Sequence, residues 1–170
     1  MASLIDELID VLDKEEREYQ DLILLSQEKT PVIVKGDLEK LQRITEAEQI
    51  VIGKINKLEK KRTEVAKDIA LVLNKNEETL KVLDIVVLLE GQKEEQERLL
   101  KVYEKLRETL KKMTTVNEMN KGLVNESLDF INYNLNLLKS VYQEPGTGNY
   151  TKNASSVTPV AGVGVFDAKQ

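Results

Sequence analysis

The chain has 170 residues, no cysteine, no histidine and a net charge of −5 built from interleaved acids and bases. That length fits one domain, and the two missing residue types exclude disulfides, zinc sites, cysteine nucleophiles and a serine–histidine triad. No clustered basic face offers itself to nucleic acid, and the longest uncharged run, Asn153–Phe166, is too short and too broken by Pro159, Gly162 and Gly164 to enter a membrane as a span.

The opening, Met1-Ala2-Ser3-Leu4-Ile5-Asp6-Glu7, lacks the basic start of a secretion signal, so a cytoplasmic location is expected. Leu4, Leu8, Val11/Leu12, Tyr19, Leu22/Ile23 and Leu25 recur every three or four residues and form one stripe on a helix. Ser3 with Asp6 resembles a capping box. Pro31 lacks an amide hydrogen and crowds the turn before it, which predicts a break or kink at Lys29-Thr30-Pro31. Val32-Ile33-Val34 then reads as a short connector.

Gly36 is a natural helix stop and Asp37 a natural N-cap for a second helix. Its stripe runs through Leu38, Leu41, Ile44, Val51/Ile52, Ile55, Leu58, Val65, Ile69 and Leu73. Glu48 and Arg62 fall where that seam expects apolar side chains. Either they lie near the surface and reach water, or they are buried charges that fix the register of a partner helix. Asn74-Lys75-Asn76 interrupts the pattern, and Asn76 followed by Glu77-Glu78 suits the start of another helix. Leu80, Leu83 and Val86/Val87 form a short apolar turn ending near Gly91.

The last segment is the most regular. Leu99, Tyr103, Leu106, Leu110, Met113, Asn117, Asn120, Val124, Ser127, Ile131, Asn134, Leu138 and Val141 follow alternating steps of four and three, a heptad seam. Glu15-Glu16 and Glu94-Glu95-Gln96-Glu97 read as solvated faces, since metal chemistry would need them converging across helices. Helices this long are stable only when their stripes bury one another. The expected fold is all-α, a long antiparallel helical hairpin or coiled-coil bundle over residues 1–142.

After Met113 the seam turns polar, with Asn117, Asn120, Ser127 and Asn134 at heptad positions. Either this stretch extends past its neighbours into water, or it is a face that hydrogen-bonds a client helix through its amides. Leu123, Leu128, Phe130, Ile131 and Leu135 would then supply the apolar contacts. At Gln143 the composition shifts. The final 28 residues hold four charged side chains, two of the three prolines and four of the eight glycines, which predicts a flexible tail over 143–170. Its end, Val160-Ala161-Gly162-Val163-Gly164-Val165-Phe166, is apolar for a linker. Val163, Val165 and Phe166 are therefore candidate partner contacts.

With these residues laid out, the chain resembles the FlgN family of flagellar type III export chaperones over its whole length. The resemblance rests on Val34-Lys35-Gly36-Asp37-Leu38, Leu58-Glu59-Lys60-Lys61-Arg62, and Asn117-Glu118-Met119-Asn120-Lys121-Gly122-Leu123 running into Ser127-Leu128-Asp129-Phe130-Ile131. The ending Val165-Phe166-Asp167-Ala168-Lys169 is also similar to tails in that family. It implies a non-enzymatic cytoplasmic chaperone with no cofactor, whose partners are the hook–filament junction proteins FlgK and FlgL and the export apparatus. Asn117, Asn120, Leu123, Leu128, Phe130 and Ile131 match the family stretch. Tyr150 is matched with a tyrosine before a glycine-rich turn, although Thr151-Lys152-Asn153 stands where Gly-Pro-Asp is expected. The competing reading is a homo-oligomeric coiled-coil scaffold or tether.

Overall fold

Apolar residues recurring every three or four positions drive long helices that must pair. A computed structural model describes residues 2–75, 80–89 and 91–142 of the chain. They form four helices: α1 (Ala2–Lys35), α2 (Leu38–Val72), α3 (Val82–Leu88) and α4 (Lys93–Tyr142). No strand occurs among the described residues, so the all-α class expected from the heptads holds. The chain divides into two units, Met1–Tyr133 and Asn134–Gln170. The described part of the second is the closing stretch of α4; the expected tail, 143–170, lies outside the described residues, as do Asn76, Glu77 and Glu78.

Polar pairs fix the helix directions in the first unit. Lys40 with Glu28, Lys54 with Glu18 and Lys61 with Glu7 run in opposing numerical order, so α1 and α2 are antiparallel. Arg98 with Asp6, Thr109 with Glu16 and Asn120 with Ser26 rise together, so α4 runs parallel to α1. The short α3 lies between α2 and α4 in the chain. It buries Ile85 and Val86, and its Val86 carbonyl accepts the Gln96 amide at 2.8 Å.

The main core gathers Ile5, Leu8 and Leu12 of α1, Val65 and Ile69 of α2, Ile85, Val86 and Leu89 around α3, and Leu99, Val102 and Leu106 of α4. A smaller one holds Leu22, Val51 and Ile55, with Met113 of α4 against it. Each fully buried Leu or Ile stabilises the fold by about 1.5–3 kcal/mol. Between the two cores sits a polar layer. Glu15 and Glu16 are both 0% exposed, contrary to their expected place on a solvated face. The reason is the position of α1, flanked by α2 and α4. Adjacent helical residues point about 100° apart, so one carboxylate meets each neighbour. Glu15 takes a hydrogen bond from Arg62 at 3.0 Å. Glu16 accepts from Thr109 at 3.0 Å, and its other oxygen lies 2.8 Å from the Lys105 ammonium.

Nearer the α1–α2 turn a second polar layer follows. Glu48 is buried and accepts from Ser26 at 2.8 Å and from Lys29. Both polar seam residues of α2 therefore pair across the hairpin, Glu48 with Lys29 and Arg62 with Glu15. The reading as a buried charge fits Glu48, whereas Arg62 pairs across the hairpin with a side chain still 34% exposed to water.

Three local expectations need correction. Helix α1 runs through Pro31 to Lys35 without a break. Proline forfeits one backbone hydrogen bond there. Burial of Val32 and Ile33, and a 2.7 Å hydrogen bond from the Thr30 hydroxyl to Asn120, hold the last turns in place. Val32-Ile33-Val34 is thus helix and not connector. Ser3 already lies inside α1 rather than capping it, and Asp6 pairs with Arg98 of α4 at 2.8 Å. The seam of α4 is also shifted on one side. Leu99, Leu106, Met113 and Asn120 face the bundle as expected, but their companions are Val102, Thr109, Val116 and Leu123, one residue before Tyr103, Leu110, Asn117 and Val124.

Candidate partner-binding groove

Glycine tolerates positive φ without a Cβ penalty, and helices commonly end on it. Gly36 has φ 67°. Its N–H donates to the Ile33 carbonyl at 3.1 Å, and the Asp37 N–H reaches back to Val32 at 3.2 Å, the paired bonds of a Schellman turn. Asp37 immediately caps α2, its carboxylate accepting the Lys40 N–H at 3.0 Å, as the sequence predicted. Two residues therefore reverse the chain. So tight a turn leaves Val34 and Leu38 on the surface, 68% and 76% exposed. Leu38 thus does not join the buried stripe of α2.

Across from this turn runs α4, fixed to α1 by Asn120. The Asn120 amide donates to the Ser26 carbonyl at 2.7 Å while its oxygen accepts from Thr30. Past that anchor α4 shows an apolar row to solvent: Leu128 is 52%, Phe130 67% and Ile131 51% exposed. The two walls enclose an open groove of about 590 Å³, with Ile33, Val34, Leu38 and Leu41 on the hairpin side and Leu123, Val124, Leu128, Phe130 and Ile131 on α4. Lys35 and Glu126 are its charged lining residues. A groove so lined favours an apolar stripe over a charged ligand.

Of the predicted contacts, Leu123, Leu128, Phe130 and Ile131 come together here. Asn117 is exposed and does not line the groove. Asn120 is buried and both ends of its amide are engaged within the bundle, so it anchors the groove instead of offering a free amide. Leu135 is exposed and belongs to the second unit, Asn134–Gln170. Tyr150, Val163, Val165 and Phe166 lie outside the described residues. Val34, Leu38 and Leu41 are lining residues that the sequence reading missed. For Val34 and Leu38 the signal was an apolar pair astride Lys35-Gly36-Asp37, too close to a two-residue turn for both to reach a core.

The buried carboxylates of the polar layer are ion-paired within the bundle, Glu15 with Arg62 and Glu16 with Lys105. Burial pushes the Glu15 pKa up from 4.5, and the nearby Glu59 carboxylate adds to this, while the Arg62 guanidinium opposes it. Burial, Glu59 and Glu15 likewise raise the Tyr19 phenol. Among the described residues no three acidic side chains converge to hold a metal ion, and no helix is long and apolar enough to cross a membrane.

The profile of a family described as FlgN protein matches residues 1–158. The chain is similar to the uncharacterized protein YvyG of Bacillus subtilis (strain 168), 30% identical over 152 residues that make up 89% of each chain. No solved structure matches it.

Proposed function

The chain belongs to the FlgN family of flagellar export chaperones, and on that premise we propose that it binds the C-terminal helical segments of hook-associated proteins of the FlgK and FlgL type. It acts in the cytoplasm, keeps those segments from assembling early and delivers them to the type III export gate. An unassembled amphipathic segment presents an apolar stripe that self-associates, and covering that stripe is the physical task of such a chaperone. The observation that carries this reading is the groove of about 590 Å³ between the α1–α2 turn and α4, with Leu128 and Ile131 on one wall and Val34 and Leu38 on the other. A client helix laid there covers all four.

Calorimetric titration with the C-terminal peptide of a FlgK-type protein tests it. Leu128→Asp with Ile131→Asp, and separately Val34→Asp with Leu38→Asp, should each abolish measurable binding while the circular dichroism melt stays near wild type, because these side chains are exposed. Asn117→Ala should bind normally. Unchanged affinity in both double variants would remove the groove from client binding. Light scattering on the free protein separates the chaperone from the scaffold reading, which requires a stable self-paired assembly.

A further inference from the structure

On a coiled-coil helix the position next to a buried seam residue lies on the flank of the seam, where an apolar side chain is open to a further helix. On α4 that flanking row begins with Tyr103 and Leu110, seven residues apart, half-buried and partly exposed respectively. They line a second groove, of about 320 Å³, whose floor includes Leu12 and Leu106 and whose rim carries Arg62, Arg107 and Lys111. Its lining residues include three cations and no carboxylate. Arg62 is paired with Glu15, but Arg107 and Lys111 form no ion pair among the described residues. This site is separate from the client groove, which involves Leu123 to Ile131 of the same helix.

We propose that this groove docks an acidic amphipathic helix of a second partner protein, whose leucine-like row packs on Tyr103 and Leu110 and whose flanking carboxylates meet Arg107 and Lys111. From Tyr103 to Thr114 the lining of α4 extends roughly 16 Å at about 1.5 Å per residue, some three turns of a docked helix. The cations stand beside the apolar row as flanking charges do in coiled coils, where they select the sign of the partner. A second copy of this chain fits poorly. A two-fold contact through this face would bring Arg107 and Lys111 against their own counterparts.

The probe is a fluorescent designed helix with leucine at a and d positions and glutamate elsewhere, compared by anisotropy with the same helix carrying lysine. The glutamate helix should bind the full chain, more weakly as salt rises, and the lysine helix should not. Arg107→Glu with Lys111→Glu should weaken the glutamate helix by about tenfold or more and confer binding of the lysine helix. Leu110→Glu should remove binding of the glutamate helix, and Leu128→Asp with Ile131→Asp should leave the wild-type pattern intact. Absence of binding, no response to the charge reversal, or loss in the Leu128/Ile131 variant would overturn the proposal. So would light scattering that shows a dimer dissolved by Leu110→Glu, since the face would then belong to a second copy.

Discussion

Arg62→Ala should lower the unfolding free energy at neutral pH by roughly 2–3 kcal/mol. Its guanidinium lies 3.0 Å from a Glu15 carboxylate that is 0% exposed. Stripping one partner from a buried pair costs about 3–5 kcal/mol, because the remaining charge stays without compensation. The Arg62 side chain is itself 34% exposed, so water fills part of the gap and the lower part of that range, eased slightly by screening, applies. The pH dependence follows from Glu15. Burial, its largest influence, raises its pKa above 4.5, so the folded state holds the proton more readily than the unfolded one. The contribution of Glu15 is full below pH 4.5 and declines as pH rises through its folded value. Removing Arg62 takes away the influence that pulls that value down, so the deficit of the variant should shrink as pH falls toward 4.5. In a Glu15→Gln background the same substitution should cost less than about 1 kcal/mol, since no buried charge is left behind. Urea unfolding followed by circular dichroism measures all of these. Wild-type stability in the single variant, or an equal deficit in the Gln background, would refute the account.

Asn120→Ala should cost about 1–3 kcal/mol by chemical denaturation, as it leaves the Ser26 carbonyl and the Thr30 hydroxyl without their amide partner inside the bundle. Gly36→Ala should lower the melting temperature through a backbone cost of about 1–2 kcal/mol, because φ is 67° and an added Cβ would meet nothing within 4 Å.

The long helices were legible because their apolar spacing is regular, and the cap at Asp37 because its chemistry is local. What the spacing could not decide was the flank of α4. Val102 and Tyr103, or Leu123 and Val124, are both apolar neighbours, and a heptad count accepts either. The choice rests on tertiary contacts such as Thr109 with Glu16, between residues far apart in the chain. The same distance hid Glu15 and Glu16. Two consecutive carboxylates look solvated until a helix on each side claims one. Pro31 misled for the opposite reason, a strong local rule overridden by the burial of Val32 and Ile33. Half of the groove was readable on α4 as an apolar row beside polar seam residues. The other half, at Val34 and Leu38, depends on which turn meets which helix, and a linear pattern carries no record of that.

The parallel course of α1 and α4 sets an order of assembly. Side-chain hydrogen bonds between α1 and α2 join residues 19 to 47 positions apart, whereas those between α1 and α4 span 90 to 94. Closing the shorter loops costs less entropy, so low contact order favours the hairpin as the first structure to form. During synthesis it emerges from the ribosome well before α4, and domains fold as they emerge. Until α4 arrives, Glu16 lacks the Thr109 and Lys105 partners that it has in the complete bundle. The helix that completes the bundle last also bears the exposed apolar rows. A stalled or truncated nascent chain then carries only the hairpin wall of the client groove, Val34 and Leu38, and lacks the wall that α4 supplies.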